Sequence, residues 1–210
     1  MSFSLIILAG GNSHRFKSNL PKPYQKIAGK SLIEISIYKA RQFKQIKQII
    51  LVYKKNDIKR VKSLNLKNIK LIAGGANRQK STFNALKYLY KQKKTLKVLI
   101  HDAARPNFSL KLFDLIIKNM NNARAVIPKI SIQDAVKQKF ESSKYQYILG
   151  KNREDLFLTQ TPQAFNFKEI YNLHKTNFSK YKDDDISLYM DLNKVKFIEG
   201  EKNNLKITDK

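Results

Sequence analysis

The 210-residue chain has no cysteine, which excludes disulfides, thiol catalysis and cysteine-ligated zinc. No apolar run is long enough to span a bilayer. The longest lies near the N-terminus, and no basic segment precedes it, so it does not read as a signal peptide. A cytoplasmic protein with no membrane partner is the expectation. The three histidines are isolated from one another and give no zinc spacing. Internal repeats and low-complexity linkers are also missing, and the length suits a single domain with its own core.

Acidic residues are scarce. Sixteen stand against 42 basic ones, for a net charge of +26. An anionic partner is one reading of that excess: nucleic acid, membrane surface or phosphorylated substrate. Composition is the other. Lysine outnumbers arginine 35 to 7 and is scattered rather than blocked. No face of lysines with interleaved stacking aromatics stands out, so nucleic acid is not expected. Arginine is more informative because it is rare: four of the seven lie in the segments discussed below.

What is present is a rhythm. Short β-branched apolar runs at 3–9, 48–53, 69–73, 96–101 and 124–129 suit buried strands. Amphipathic stretches lie between them. "SLIEISIYKARQF" opens with Ser31 and Glu34 at capping-box spacing. In "KLFDLIIKNM", Phe113, Ile116, Ile117 and Met120 share one helical face. Strand–helix alternation implies an α/β fold: a mostly parallel twisted sheet with helices on both faces. Residues 130–160 break the rhythm and read as a protruding β-arm, with a short strand near 145–149. A helix near 167–178 and a last strand at 194–198 follow.

Ligands of such sheets bind beyond the carboxyl ends of the strands. Three post-strand segments therefore matter. The first, "LAGGNSHRFKSNLPK", is neither a P-loop nor a dinucleotide fingerprint: Phe16 stands where the P-loop's second glycine belongs, and G-x-G-x-x-G is absent. Its small residues let backbone N–H groups approach a polyphosphate. Arg15 can grip phosphate oxygens at two points, and Lys22 adds a point charge. The second, "GGANRQKS", opens a helix and can form a second wall, because helix N-termini attract anions. The third is "HDAARP". There Asp102 reads either as an ion-pair partner of Arg105 or as a group near a ribose hydroxyl or a metal-bound phosphate; His101 reads as structural.

Together these segments resemble the 2-C-methyl-D-erythritol 4-phosphate cytidylyltransferase family. The matching residues run in order from Ala9-Gly10-Gly11-x-Ser13-x-Arg15-Phe16 and Pro21-Lys22 to Gly74-Gly75-x-x-Arg78-x-x-Ser81 and His101 to Pro106. Asp134-Ala135-Val136-Lys137, Arg153, Gln160 to Phe165 and Asn204-Leu205-Lys206-Ile207-Thr208 continue the series. The resemblance implies a Rossmann-like nucleotidyltransferase domain over 1–210 and a homodimer joined through the arm at about 130–160. It implies a cytidylyltransferase that joins CTP to methylerythritol phosphate with Mg²⁺ and releases pyrophosphate, in isoprenoid precursor biosynthesis. Arg15, Lys22, Arg153 and Lys206 would be catalytic. Ala9, Gly10, Gly11, Ser13, Gly75, Arg78, Ser81, Asp102 and Ala103 would contact CTP, with Asp102 the candidate metal ligand. Asp102, Arg105, Ala135, Arg153, Asp183 and Lys206 would face the second substrate, Arg153 by reaching across the dimer.

The chemistry suits those residue types. A phosphate monoester is already a nucleophile, so positioning and fixed positive charge carry the reaction. No Ser-His-Asp or paired-carboxylate site competes. Some positions depart from the family pattern. Ala135 and Asp183 stand where threonines are usual, Pro23 where glutamine is, and Ala76 where an acidic residue is common. Another alditol phosphate, such as ribitol 5-phosphate, is the nearest alternative substrate. A basic nucleic-acid-binding protein and an inactive dimeric scaffold are the alternatives of other classes. The sequence is also compatible with the first domain of a fusion to the cyclodiphosphate synthase.

Overall fold

The computed structural model describes residues 2–11, 20–141, 146–177 and 182–208. β1 (Phe3–Ala9) is buried on both faces, as a run that is apolar but for Ser4 requires. A small hairpin, β2 (Lys26–Ile27) and β3 (Lys30–Ser31), leads into α1 (Leu32–Arg41). The capping box anticipated there forms: Ser31 Oγ accepts from the Glu34 amide at 3.2 Å, and the Ser31 amide donates to Glu34 Oε2 at 2.8 Å. β4 (Ile46–Tyr53), α2 (Ile58–Ser63) and β5 (Ile69–Ala73) follow. Next come α3 (Arg78–Gln92), β6 (Lys97–Asp102), α4 (Leu110–Asn119) and β7 (Ala125–Ser131). The arm is a hairpin, β8 (Val136–Glu141) with β9 (Gln146–Lys151), in a sheet of its own. β10 (Phe157–Thr159), β11 (Gln163–Asn166), α5 (Phe167–Thr176) and β12 (Val195–Glu199) complete the chain.

The main sheet runs β10-β7-β11-β6-β1-β4-β5, with β12 beside β7. β1 pairs in parallel with β4 and β6, β4 with β5, and β7 with β12. β10 and β11 run antiparallel. Side chains alternate along β1: Phe3, Leu5, Ile7 and Ala9 face a core formed with α1, α2 and α4. Ile6 joins the opposite core with α3 and α5. The result is the anticipated sheet covered on both faces. No described helix is long and apolar enough to cross a membrane.

One departure from the sequence-based expectation bears on the site. β11 begins within "QTPQAF" and ends one residue beyond it, where a preceding proline and only four ladder residues hide the strand signal. Burial between β6 and β7 makes it a strand. The carboxyl ends of β1, β4, β5, β6, β7 and β12 all lie on one side of the sheet, so the loops after them meet there.

Candidate active site

Asp102 is the last residue of β6 and the hub of the cluster. Its Oδ1 accepts from Arg78 Nε at 3.1 Å, and its Oδ2 from Lys206 Nζ at 2.8 Å. The Asp102 amide donates to Thr161 Oγ1 at 3.0 Å. Burial by itself would raise the Asp102 carboxyl, but the adjacent Arg78 and Lys206 charges outweigh it and hold the group well below the ordinary carboxylate value. Asp102 is thus ionised. Its partners are Arg78 and Lys206, not the Arg105 that sequence proximity suggested. Arg105 NH1 instead donates to the Asn204 carbonyl at 2.8 Å, and burial lowers the guanidinium's pKa.

Lys206 sits on a segment without regular secondary structure, fixed at several points. Asn204 Nδ2 donates to the Thr161 carbonyl at 3.0 Å, and Gln160 Nε2 to the Glu201 carbonyl at 2.8 Å. The Ile207 amide donates to the Ala104 carbonyl at 2.9 Å. Lys22, which opens a 3₁₀ turn, donates to the Thr208 carbonyl at 3.0 Å. The loops after β1, β6 and β12 are therefore tied into one assembly.

A cavity of about 620 Å³ opens beside this cluster, with Arg78, Asp102, Arg105, Thr159, Asp183 and Lys206 in its wall. The structure brings together there five residues singled out from sequence. Ala9, Gly10 and Gly11 lie at the end of β1, Gly75 follows β5, and Ser81 is in the first turn of α3. The Gly74 amide donates to the Tyr53 carbonyl at 2.8 Å, and the Gly75 amide to Ser81 Oγ at 3.0 Å. A Cβ on Gly75 would meet Lys80 Cβ at 2.5 Å, so the turn into α3 demands glycine. Ala103 is fully buried, its amide donating to the Leu8 carbonyl at 3.0 Å. Ser13 and Arg15 fall outside the described residues. Ala135 and Arg153 are exposed at the foot of the arm and do not line this cavity; Arg153 NH1 donates to the Gln133 carbonyl at 2.7 Å.

His101 is structural, as expected. It is buried, 3.2 Å from Thr161 Oγ1, and burial pushes its pKa down to about 3, so the ring is neutral. Arg78, read from sequence as a CTP contact, spends Nε and NH1 on the carboxylates of Asp102 and Asp185. The sequence assigns a family threonine position to Asp183 or a neighbour in "DDDIS" and gives Asp184 and Asp185 no separate roles. Asp184 Oδ2 accepts from Thr159 Oγ1 at 2.6 Å and from Gln163 Nε2 at 3.2 Å. Asp185 is buried against Arg78 and His174. The "DDDIS" run was the available signal, but only the fold distinguishes its three carboxylates.

No group of three His, Asp or Glu side chains gathers to cage a metal among the described residues. Mg²⁺ typically needs only one or two carboxylates beside substrate phosphates. Asp102 is the candidate carboxylate here: it borders the cavity, and each of its oxygens accepts from one cationic side chain.

Known proteins share this sequence pattern and this fold. The family model for 2-C-methyl-D-erythritol 4-phosphate cytidylyltransferase matches residues 3–210. The chain is 44% identical to a bifunctional enzyme IspD/IspF of Pelagibacter ubique, covering 99% of this chain and 55% of that relative's length. It is 34% identical to the 2-C-methyl-D-erythritol 4-phosphate cytidylyltransferase of Clostridium botulinum strain Okra, covering 98% of this chain and 91% of that one. Among solved structures, the 4-diphosphocytidyl-2C-methyl-D-erythritol synthase of Anaerococcus prevotii superposes with a TM-score of 0.82 at 33% identity, over 99% of this chain and 90% of that one.

Proposed function

Since the chain belongs to the 2-C-methyl-D-erythritol 4-phosphate cytidylyltransferase family, we propose that it transfers a cytidylyl group from CTP to 2-C-methyl-D-erythritol 4-phosphate. A phosphate oxygen of the sugar alcohol attacks the α-phosphorus of CTP. The new P–O bond forms as the bond to the bridging oxygen breaks, and pyrophosphate leaves. The observation that carries this reading is the convergence of Asp102, Arg105 and Lys206 on one cavity, tied through Thr208 to Lys22.

In this reading the backbone of Ala9, Gly10, Gly11 and Gly75, with Ser81 and Ser13, seats the triphosphate. Arg15 and Lys22 hold the phosphates and stabilise charge on the transferring group. Asp102 and Ala103 lie at the ribose. Arg105 and Lys206 take the phosphate of the second substrate, near Asp183. Mg²⁺, held by the triphosphate and Asp102, would supply further charge neutralisation.

Charge balance supports a shared site. The cavity wall carries three cations, Arg78, Arg105 and Lys206, and three carboxylates, Asp102, Asp183 and Asp184. A dianionic phosphate needs more positive charge than that balance supplies. Arg153 is exposed on the 3₁₀ turn that follows the hairpin, at the foot of the arm. We therefore assign the protein as a cytoplasmic homodimer: one nucleotidyltransferase domain over 1–210, whose arm at about 130–160 carries Arg153 and Ala135 to the partner's cavity.

The test is pyrophosphate release by purified protein with Mg²⁺, each of four nucleoside triphosphates, and several alditol phosphates. CTP with methylerythritol phosphate should exceed every other pairing. A clear preference for ribitol 5-phosphate, or for another nucleotide, would overturn the assignment.

A further inference from the structure

The hydrogen bonds around Asp102 do not end at Arg78. Lys206 Nζ lies 2.8 Å from Asp102 Oδ2, and Arg78 Nε lies 3.1 Å from Asp102 Oδ1. Arg78 NH1 lies 2.7 Å from Asp185 Oδ2, and Asp185 Oδ1 lies 3.0 Å from His174 Nε2. The result is a single file, Lys206–Asp102–Arg78–Asp185–His174. Its members come from the C-terminal segment, β6, α3, the "DDDIS" turn and α5. Only Lys206, Asp102 and Arg78 reach the cavity; Asp185 and His174 are nearly inaccessible behind them.

Stability alone does not explain that file. A buried ion pair gains little net stability over well-packed apolar residues of the same size. What it provides is direction. Arg78 bridges two carboxylates through two different nitrogens of one rigid fork, a geometry that a lysine's point charge cannot reproduce. With Asp185 fixed, the guanidinium plane is fixed, and Nε presents to Asp102 in one orientation. Asp102 then offers its other oxygen to Lys206. Asp185 is fixed in turn by His174, whose ring is parallel to Phe83 at 6.3 Å between centroids. Because Asp185 accepts, Nε2 must carry the hydrogen. Nδ1 is buried without a partner, which suits a bare lone pair better than an unsatisfied N–H. Burial tends to raise the Asp185 carboxyl, but Arg78 and His174 hold it below the ordinary value, so it stays an acceptor.

We infer that Asp185 and His174 are positioning residues for the transfer reaction: through Arg78 they set the orientation of Asp102 and Lys206 toward the second substrate. This inference rests on the cytidylyltransferase reading above. His174 touches no substrate; it acts four links away from the cavity lysine.

The experiment compares His174→Leu, His174→Gln and Asp185→Asn with wild type in the pyrophosphate assay, with thermal unfolding in parallel. His174→Leu removes the donor and should raise KM for methylerythritol phosphate about tenfold, the scale of one lost hydrogen bond to a charged group. KM for CTP should rise less than KM for the sugar phosphate, because CTP meets this file only at Asp102 and is otherwise held by the backbone seat along other strand ends. His174→Gln keeps an amide N–H for Asp185 and should recover most of the loss. A residue that only stabilised the fold would lower the unfolding midpoint and leave both KM values alone. A folded His174→Leu protein with KM for the sugar phosphate within about twofold of wild type would overturn the inference. So would His174→Gln as impaired as His174→Leu. Should His174→Leu fail to fold, Asp185→Asn is read by the same KM criterion. A wild-type protein inert with CTP and methylerythritol phosphate overturns the underlying reading, and the inference with it.

Discussion

Replacing Gly75 by alanine tests the packing and the nucleotide seat together. The new Cβ would stand 2.5 Å from Lys80 Cβ, 3.1 Å from Lys80 C and 3.3 Å from Lys80 O. Carbon atoms in contact prefer about 3.5–4.0 Å, so the glycine or the first turn of α3 must move by about 1 Å. Two of the three obstructing atoms are backbone, which cannot turn away as a side-chain tip could. Forcing extra volume into a packed site typically costs about 1–3 kcal/mol. For a domain of this size that lowers the unfolding midpoint by between about 2 and 12 °C. The Gly75 amide, now 3.0 Å from Ser81 Oγ, would move with the turn. A displacement of about 1 Å in a positioning group can reduce turnover by about 100-fold. The assay is pyrophosphate release against CTP concentration, run beside thermal unfolding. Gly11→Ala is the thermal control, because a Cβ there meets nothing within 4 Å and should leave the midpoint unmoved. A Gly75→Ala protein with the wild-type midpoint and the wild-type KM for CTP would refute both the steric argument and the proposed seat.

Lys22→Ala should reduce turnover by roughly 100- to 1000-fold with little change in unfolding, the usual loss when one transition-state donor is removed. Mixing Lys22→Ala chains with Arg153→Ala chains should restore activity if Arg153 serves the partner's cavity; tag-verified heterodimers no more active than either parent would show that it does not. The Asp102 carboxyl is held below its ordinary value of 3.8, so its stabilisation is complete above that value and is lost as pH falls through and below it. The gap in unfolding midpoint between wild type and Asp102→Asn should therefore stay constant between about pH 8 and pH 5 and shrink only below about pH 4. Buried His101 destabilises both proteins alike below its ordinary value of 6.5, and a gap that closed there instead would point to the histidine.

The alternating sheet was legible because both signals are local. Short apolar runs rich in Ile, Val and Leu mark buried strands, and the Ser31–Glu34 spacing marks the start of α1. Asp102, Arg105 and Lys206 were legible for a different reason: a strand-end rule and a family resemblance pointed to them, although they lie up to 104 positions apart. What the sequence hid is pairing through space. Nothing near Arg78 announces that its partners are Asp102 and Asp185, the latter 107 residues away. The three aspartates from 183 to 185 are equivalent on paper, yet one is exposed, one accepts from Thr159 and one is buried. His174 looked isolated for the same reason. β11 was hidden because its strand character comes from its neighbours, not from its own residues.

That insertion of β11 has a consequence for how the chain is assembled. β6 and β7 follow each other along the polypeptide with only α4 between them, yet they never pair; Ala164 and Phe165 stand between them, bonded to both. A chain emerging from the ribosome therefore makes both walls of the gap long before the strand that fills it. Everything from β8 to β10, the whole arm included, must be synthesised first. Until then β6 and β7 each hold an unsatisfied edge, the kind of surface that recruits wrong strands. The sheet's centre closes by a long loop rather than by a neighbour, which makes this pairing slow in kind. Thr161, which accepts from the Asp102 amide, sits at the threshold of that late strand. Chemistry at Asp102 therefore cannot precede the insertion of β11, and the residue that leads into that strand also anchors the site.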